Sequence, residues 1–402
     1  MRRRIVITGL GIVSSLGTGV EDFWKALIAG ESGISEISVF DTSEFNNHRG
    51  GEIRNFRAAD FLSPDKARSL GRASCLAVAS AKLALEDAGL SGKKINPEKT
   101  AVCCGTTMVE TQVIEEINHA WVRQGVAAVD ARLIPRYPAY VLANNISREL
   151  GLCGPSYVIP NACAAGNFAV AYGCDLLRAG EAEAVLAGGS DAFSRIAFIG
   201  FNRMFAVAPD KCQPFDKNRK GMMVAEGAAM AVLEPLECAL KREARIYAEI
   251  AGYGLSCDAY HMTAPLAEGI RQALENALAD AGIRPEEADY LNAHGTGTVL
   301  NDKEECAAIA GAFGAHARRL AVSSIKSMLG HTMGAASAIE TAACCLALRY
   351  GVIPPTINFE TPDPECPVDC VPNQARKAAV KIAINSASAF GVNNACLVLR
   401  KL

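Results

Sequence analysis

Two stretches of this chain, YVIPNACAAGNFAVAYG at residues 157–173 and VSSIKSMLGHTMGAASAIE at residues 322–340, run from an apolar segment through a polar turn into a helix of small side chains. Aligning Cys163 with His331 also aligns a glycine three positions further on in both stretches. Such a match is typical of an internal duplication of about half the chain, although two alanine-rich helices also resemble each other by chance. A duplication predicts that a pseudo-twofold axis brings Cys163 and His331 together at the centre of the molecule.

Short runs rich in Val, Ile and Ala alternate with longer helical patterns along the chain, which is typical of parallel sheets covered by helices. The predicted strands cover residues 5–8, 101–104, 157–160, 184–187, 230–233, 247–253, 290–293, 320–323, 381–385 and 396–399. The predicted helices cover residues 73–88, 164–178, 269–281, 303–313 and 335–350. This pattern predicts an α/β architecture.

The composition is that of a folded protein without a general affinity for nucleic acid or membranes. Of its 402 residues, 50% are hydrophobic and 21% are charged, which places the chain far from the disordered class. Its 40 basic and 43 acidic residues give a net charge of -3, so no overall basic field attracts a nucleic acid or an anionic membrane. Every apolar run is broken well before the ~18 to 20 residues that a membrane span requires.

The start of the chain, MRRRIVITGLGIVSSLG, superficially imitates a signal peptide, but early glycines and the lack of a cleavage site favour a buried strand that ends in a glycine turn. The turn at Gly9-Leu10-Gly11 lacks the third glycine of a dinucleotide-binding fingerprint, since Ser14 stands there, so no nucleotide cofactor is expected. The fifteen cysteines are odd in number and scattered through apolar segments, which indicates small buried side chains in a reducing cytoplasm. No C-x-x-C pair is present, and no zinc or other metal site is predicted.

Cys163 differs from the other cysteines because it follows a predicted strand end at Pro160-Asn161 and directly precedes a helix of small residues. At a helix start, the dipole and the free N–H groups favour the thiolate, so we expect a thiol pKa below its usual value of about 8.5. The small neighbours leave room for an acyl group, and the N–H of Cys163 itself could bind a tetrahedral oxyanion. The alternative is a buried structural cysteine, which is the commoner role of a cysteine taken alone.

Two of the six histidines lie in turns rich in Gly, Thr and Ser, where α/β proteins build their sites. His294 lies in NAHGTGT at the end of a predicted strand, and His331 lies in SIKSMLGH, five residues after Lys326. A cysteine with two histidines suits acyl transfer followed by decarboxylation, because two neutral imidazoles can donate to an enolate oxygen. We expect Lys326 to disfavour protonated histidine and to organise the carboxylate of Glu305, which is otherwise an exposed helix position.

A family resemblance rests on motifs that occur in the same order from residue 3 to the C-terminus. These motifs are VITGLGIVSSLG, NACAAG, DAYHMTAP, NAHGTGT, NDKEE, SIKSMLGH, PPTINFETPD and AFGVNNACLVL. In them the chain resembles the elongating β-ketoacyl-acyl carrier protein synthases of bacterial type II fatty acid synthesis. The initiating synthases of the same superfamily use Cys, His and Asn, and thiolases use another arrangement, so the Cys, His, His set favours the elongating branch.

The resemblance implies a thiolase-like fold, in which two pseudo-symmetric halves form a five-layered αβαβα sandwich with the active site between them. Residues 1–250 would form the half that carries the nucleophile, and residues 251–402 the half that carries both histidines and the gating loop. The resemblance also implies a homodimer, or a heterodimer with a related subunit, that works without a bound cofactor. The substrates would arrive on the phosphopantetheine arm of acyl carrier protein.

By family analogy, Cys163 accepts an acyl chain as a thioester, and His294 and His331 assist the decarboxylation of malonyl-acyl carrier protein and stabilise its enolate. Phe390 matches the gating phenylalanine, whose backbone N–H partners that of Cys163 in the oxyanion hole.

Other site residues are likewise carried over from the family. Thr296 and Thr298 match the positions that hydrogen-bond the pantetheine amides. The acyl pocket is expected to include Met108 and Phe201, and the acidic carrier protein is expected to dock at Lys66, Arg68 and Arg72. These three cations would equally form a solvated helix face.

The closing loop departs from the usual G-F-G-G-T-N, because this chain has Ala389-Phe390-Gly391-Val392-Asn393-Asn394, and Ser388 replaces another common phenylalanine. The loss of two glycines restricts the backbone conformations of a gate. This departure leaves a specialised type II polyketide or polyene ketosynthase as the alternative to fatty acid elongation. Two further alternatives are a thiolase that acts on coenzyme A thioesters and a non-catalytic dimer partner, although such partners typically lack the nucleophile.

Overall fold

The computed structural model describes residues 2–92, 95–391 and 393–402. The strands are β1 (Ile5–Ser14), β2 (Gly17–Thr18), β3 (Ser35–Glu36), β4 (Arg49–Gly50), β5 (Thr100–Gly105), β6 (Ser156–Ile159), β7 (Ala184–Asp191), β8 (Gly227–Pro235), β9 (Ala248–Cys257), β10 (Tyr290–Asn292), β11 (Ala321–Ser323), β12 (Val352–Ile353), β13 (Arg376–Lys377), β14 (Ile382–Ser388) and β15 (Asn393–Arg400). The helices are α1 (Val20–Ala29), α2 (Pro64–Ser69), α3 (Arg72–Asp87), α4 (Thr111–Gln124), α5 (Val141–Leu150), α6 (Ala165–Ala179), α7 (Arg195–Arg203), α8 (Leu236–Lys241), α9 (Ala267–Ala281), α10 (Val299–Phe313), α11 (Lys326–Leu329) and α12 (Ala336–Tyr350).

Each strand and helix predicted from the sequence is present, and several helices are additional. Helices α1 and α4 are among the additional helices, and both begin without a side-chain cap, as the predicted helices also do. Within the described ranges, no helix combines the length and the apolar character needed to cross a membrane.

The sheet topology repeats itself along the chain. The strand order is β6-β5-β7-β8-β1 in the first set and β11-β10-β14-β15-β9 in the second. If each set is numbered by chain order, both have the order 3-2-4-5-1, with the first two pairings parallel and the last two antiparallel. The repeat confirms the predicted pseudo-symmetric halves. The two sets join where β1 pairs with β9. Strand β9 itself spans residue 250, and the division of the chain into two halves at that residue stays a prediction.

Helices separate and cover the two sets of strands. Helices α6 and α12 pack against each other and contact strands of both sets, so they form a central layer. Helices α3 and α5 cover the outer face of the first set. Helix α9 packs on that of the second, and α10 packs beside α9 in the same apolar cluster as β10, β11 and β14. Three apolar clusters fill the spaces between these layers. The five-layered αβαβα sandwich is therefore confirmed.

The glycines near the start of the chain serve helix packing. Gly9 and Gly11 lie inside β1, and a Cβ at either position would collide with the backbone of α3. Gly252 and Gly254 in β9 are packed in the same way against α9. The prediction of a glycine turn after residue 8 is wrong, because the strand continues through this contact.

Candidate active site

Cys163 lies in a short 3₁₀ turn, Ala162–Ala164, between β6 and the start of the central helix α6. Its side chain is buried, and the backbone N–H groups of Cys163 and Phe390 lie close enough to the sulfur to lower the pKa of the thiol. Two backbone amides therefore lie beside the nucleophile, where they can donate to an oxyanion that forms on a bound thioester.

The thiol pKa of Cys163 differs from the sequence-based expectation. Burial raises it to about 12, because a thiolate in this position loses its hydration. The charge of Lys326 and the two amide donors act in the opposite direction and are outweighed. The prediction of a lowered pKa is wrong, since it considered the helix start and not the depth of the residue.

His294 follows strand β10 and is fixed by the carboxylate of Glu305 on helix α10. The backbone N–H of His294 donates to Oε1 at 2.7 Å, and that of Gly295 donates to Oε2 at 2.8 Å. Glu305 is fully buried, so its prediction as an exposed position is wrong. Burial raises its pKa to about 7, against the two N–H donors. Glu305 therefore sets the backbone course of the turn that carries His294.

Lys326 is a buried cation between His294 and Glu340. Its Nζ lies 3.4 Å from His294 Nδ1 and forms a close ion pair with Glu340, which projects from α12. The predicted partner was Glu305, whose two oxygens are occupied by backbone N–H groups instead. A carboxylate within an alanine-rich buried helix requires a partner, and that signal could have pointed to Glu340.

His331 lies in the turn before α12, and its backbone is tied to the neighbouring segment. Its N–H donates to the carbonyl of Met223 at 2.7 Å, and the N–H of Met333 donates to His331 Nδ1 at 3.1 Å. Because Nδ1 accepts this bond, the neutral ring carries its proton on Nε2.

The two imidazole rings lie with their centroids 5.4 Å apart and nearly perpendicular. Burial and the charge of Lys326 hold the pKa of both His294 and His331 well below the usual range. The ammonium of Lys326 donates to His294 Nδ1, so this ring also carries its proton on Nε2. The site thus provides two neutral N–H donors.

One cavity of about 310 Å³ joins these groups. Its lining includes Cys163, His294, His331, Thr296, Thr298, Phe201 and Phe390, all of which the sequence analysis singled out. Apolar side chains that the sequence did not single out complete much of the wall, namely Met204, Phe205, Met222, Met262, Val299 and Leu300. Met108, which was expected to line the acyl pocket, lies outside this lining and packs against the apolar cluster that includes Phe201. The cysteine and both histidines therefore share one site, and the duplication predicted this for Cys163 and His331.

The segment after β14 closes one side of the cavity. The ring of Phe390 lies 5.5 Å from that of Phe201, and the N–H of Gly391 donates to the carbonyl of Met262 at 2.9 Å. Ser388 and Ala389 also line the cavity. Val392, which belongs to the predicted departure from the family gate, lies outside the described residues.

The predicted docking cations already have partners. Lys66 pairs with Glu149 and Arg68 with Asp65, each at 2.6 Å. Arg72 makes a two-pronged contact with the buried Glu226 and also donates to the carbonyl of Ile53. Arg72 is thus tied to Glu226 and only partly exposed, Arg68 stays largely exposed, and docking of a carrier protein at these three cations stays a prediction.

Known proteins resemble the chain over its full length. A model of the beta-ketoacyl synthase N-terminal domain matches residues 2–239, and one of the C-terminal domain matches residues 247–360. Nodulation protein E of Rhizobium leguminosarum bv. trifolii is 42% identical over 100% of both chains. The 3-oxoacyl-[acyl-carrier-protein] synthase 2 of Coxiella burnetii is 41% identical over 100% of this chain and 99% of that protein.

Among solved structures, the ishigamide ketosynthase/chain length factor superposes with a TM-score of 0.97 at 45% identity over 100% of both chains. Two domain models in the expected order, full-length relatives and the shared fold agree with the Cys, His, His cavity. The chain therefore belongs to the β-ketoacyl synthase family and is an acyltransferase with a thiolase-like fold.

Proposed function

We propose that this enzyme condenses an acyl group held on Cys163 with malonyl-acyl carrier protein and releases β-ketoacyl-acyl carrier protein. The observation that supports this proposal is the cavity in which one thiol, two backbone N–H donors and two neutral imidazoles meet. The substrates bring their own phosphopantetheine arm, and the proposal includes no bound cofactor.

In the first half-reaction, the sulfur of Cys163 attacks the acyl thioester, and the thiol of the carrier protein leaves with a proton. The N–H groups of Cys163 and Phe390 receive the negative charge that develops on the carbonyl oxygen. The buried thiol with its raised pKa requires that this proton leave as the sulfur attacks. The small residues of the turn before α6 leave room for the acyl chain.

In the second half-reaction, the malonyl group loses its carboxylate as carbon dioxide, and the electron pair forms an enolate. The Nε2–H groups of His294 and His331 donate to the enolate oxygen, and burial and the charge of Lys326 keep both rings neutral. The enolate carbon then attacks the thioester on Cys163, and the released thiolate is reprotonated.

Fatty acid elongation is the pathway that the 3-oxoacyl-[acyl-carrier-protein] synthase relative supports. A specialised polyketide pathway is the second candidate, because the ishigamide ketosynthase/chain length factor shares 45% identity with this chain and the gate departs from the usual glycine-rich sequence.

Acyl carrier protein is the proposed partner, because the relative from Coxiella burnetii is a 3-oxoacyl-[acyl-carrier-protein] synthase. The exposed Lys220 lines the cavity and has no ion pair among the described residues, so it offers a cation at the entrance to an acidic carrier. A second copy of this chain, or a related subunit, is the proposed dimer partner, with strand β6 as the contact. The reducing cytoplasm stays a prediction from the cysteine pattern.

The proposal is tested by measuring the two half-reactions separately in His331→Ala. We expect acylation by acyl-carrier protein to remain within about tenfold of the wild type, while carbon dioxide release falls about 100-fold or more, because one donor to the enolate is lost. Cys163→Ala serves as the control and should abolish condensation. Equal losses in both half-reactions of His331→Ala would contradict the assigned roles.

A further inference from the structure

A buried arginine lies directly behind the wall of the cavity that carries Thr296 and Thr298. The side chain of Arg219 is 2% exposed, and it comes from the segment between α7 and β8. Arg219 does not line the cavity, so it can affect the site only through the residues that it contacts.

Arg219 donates to three backbone carbonyls. Its Nε donates to Thr298 at 3.3 Å, its Nη2 to Val299 at 3.0 Å, and its Nη1 to Asp216 at 2.9 Å. Two of these carbonyls belong to the start of α10, where the chain leaves the turn of Thr296 and Thr298. The planar fork of an arginine presents five N–H donors from three nitrogens in a fixed geometry, whereas the three donors of a lysine come from one nitrogen.

Two buried or partly buried carboxylates hold the arginine in place. Asp363 forms a close ion pair with Nη1, and Asp302 lies 3.8 Å from Nε. Asp302 also accepts hydrogen bonds from the N–H groups of Gly297 at 3.2 Å and Phe215 at 2.9 Å. The turn that carries both threonines is therefore held on the side away from the cavity, at Gly297 and where the chain enters α10.

The threonine hydroxyls themselves point to each other, with 2.9 Å between Thr296 Oγ1 and Thr298 Oγ1. Gly297, between them, has a φ of 74°, and a Cβ there would crowd the backbone carbonyl of Gly221. Glycine adopts a left-handed conformation without strain but also many others, so the contacts around this turn determine its shape.

We propose that Arg219 is a positioning residue that holds the turn of Thr296 and Thr298 in the conformation that receives the amide-bearing arm of the substrate. This inference rests on the proposed function, and it adds a residue that touches neither the substrate nor the reacting atoms. Arg219 acts on capture of the arm and leaves the sulfur and the two imidazoles in place.

The test compares Arg219→Gln and Arg219→Lys with the wild type in the full-length enzyme. For both variants we expect the KM for acyl-carrier protein to rise about tenfold or more, while kcat changes less than threefold. The alkylation rate of Cys163 by iodoacetamide, which carries no pantetheine arm, should stay within about twofold. An acyl thioester of N-acetylcysteamine, which keeps only the amide end of the arm, should show a smaller rise in KM than the carrier-bound substrate.

Arg242→Gln is the matched control, because Arg242 also bridges a carboxylate, Glu234, and a backbone carbonyl, that of Ala88, and does not line the cavity. Arg242→Gln should lower the midpoint of urea unfolding about as much as the Arg219 variants do, and its KM for acyl-carrier protein should remain that of the wild type. The proposal is overturned if KM is unchanged in the Arg219 variants, or if KM, kcat and alkylation change together. Failure of the wild type to form an acyl adduct would refute the proposed function instead.

Discussion

At the scale of single residues, the site depends on charges that are buried and paired. Lys326 and Glu340 form an ion pair within the central layer, and burial together with the charge of Lys326 lowers the pKa of both catalytic imidazoles. A buried ion pair is costly to break by removing one partner, because the other charge is left uncompensated. This arrangement explains how two histidines stay neutral side by side.

Removing both members of the pair in Lys326→Met/Glu340→Gln tests this electrostatic role. Without the cation, the pKa of His294 and His331 should rise toward the usual value, so protonation should begin at a higher pH. Protonated His331 can no longer accept the N–H of Met333 at Nδ1. We expect the acid limb of carbon dioxide release from malonyl-carrier protein to move to higher pH in the double variant. A pH profile that superimposes on that of the wild type would contradict the role of Lys326.

Glu305 gives a second prediction at this scale, on stability. Its pKa in the folded protein is raised from 4.5 to about 7, so the native state binds a proton more tightly than the unfolded state does. The resulting stabilisation is fully present below pH 4.5 and is lost as the pH rises through about 7. The urea midpoint of the wild type relative to Glu305→Gln should therefore decline over this interval and level off above it. A difference that is constant with pH would show that the carboxyl does not titrate there.

At the scale of secondary structure elements, close packing of helix on strand determines which residues are tolerated. The paired glycines of β1 and β9 let α3 and α9 approach the sheet at equivalent positions of the two halves. This equivalence shows that the repeat extends from strand order to individual contacts.

Gly254→Ala tests the packing of α9 on β9. The added methyl group would meet the backbone of Ala273 and Ala277, so we expect a loss of about 1–3 kcal/mol in the free energy of unfolding. Gly200→Ala in α7 is the control, since a Cβ there has open space and alanine favours a helix by roughly 0.5–1 kcal/mol. Urea denaturation measures both. Equal midpoints for the two variants would argue against the packing role.

At the scale of the whole molecule, the duplication made the meeting of Cys163 and His331 predictable. Cys163 and His331 occupy equivalent turns before α6 and α12, and the symmetry of the halves brings these turns together. The residues that support them were harder to predict, because partners such as Glu340 and Arg219 are set by tertiary packing and not by a motif. The same limit explains the wrong partner assigned to Lys326 and the wrong pKa direction for Cys163.

The sheet ends at β6, whose outer edge is unpaired among the described residues. Because an open strand edge can pair with another chain, we predict that two copies of this chain associate along β6. Tyr157 on β6 and Tyr172 on α6 form an exposed aromatic pair beside it. We expect the purified chain to have a solution mass close to twice the 42.4 kDa of one copy, and Tyr157→Asp to reduce it. The exposed Leu240→Asp, on α8, should leave it unchanged. A monomer at micromolar concentration would exclude self-association and favour a related subunit as partner.

The central claim is that the sulfur of Cys163 and the two imidazoles act in one cavity as a condensing site. Intact-mass measurement with peptide mapping tests it most directly, after incubation with an acyl-carrier protein and then with malonyl-carrier protein. The account predicts that the wild type gains one acyl group on the peptide that contains Cys163, and that the malonyl substrate discharges it with formation of the β-keto product. The absence of an adduct, or an adduct on a different cysteine, would contradict it.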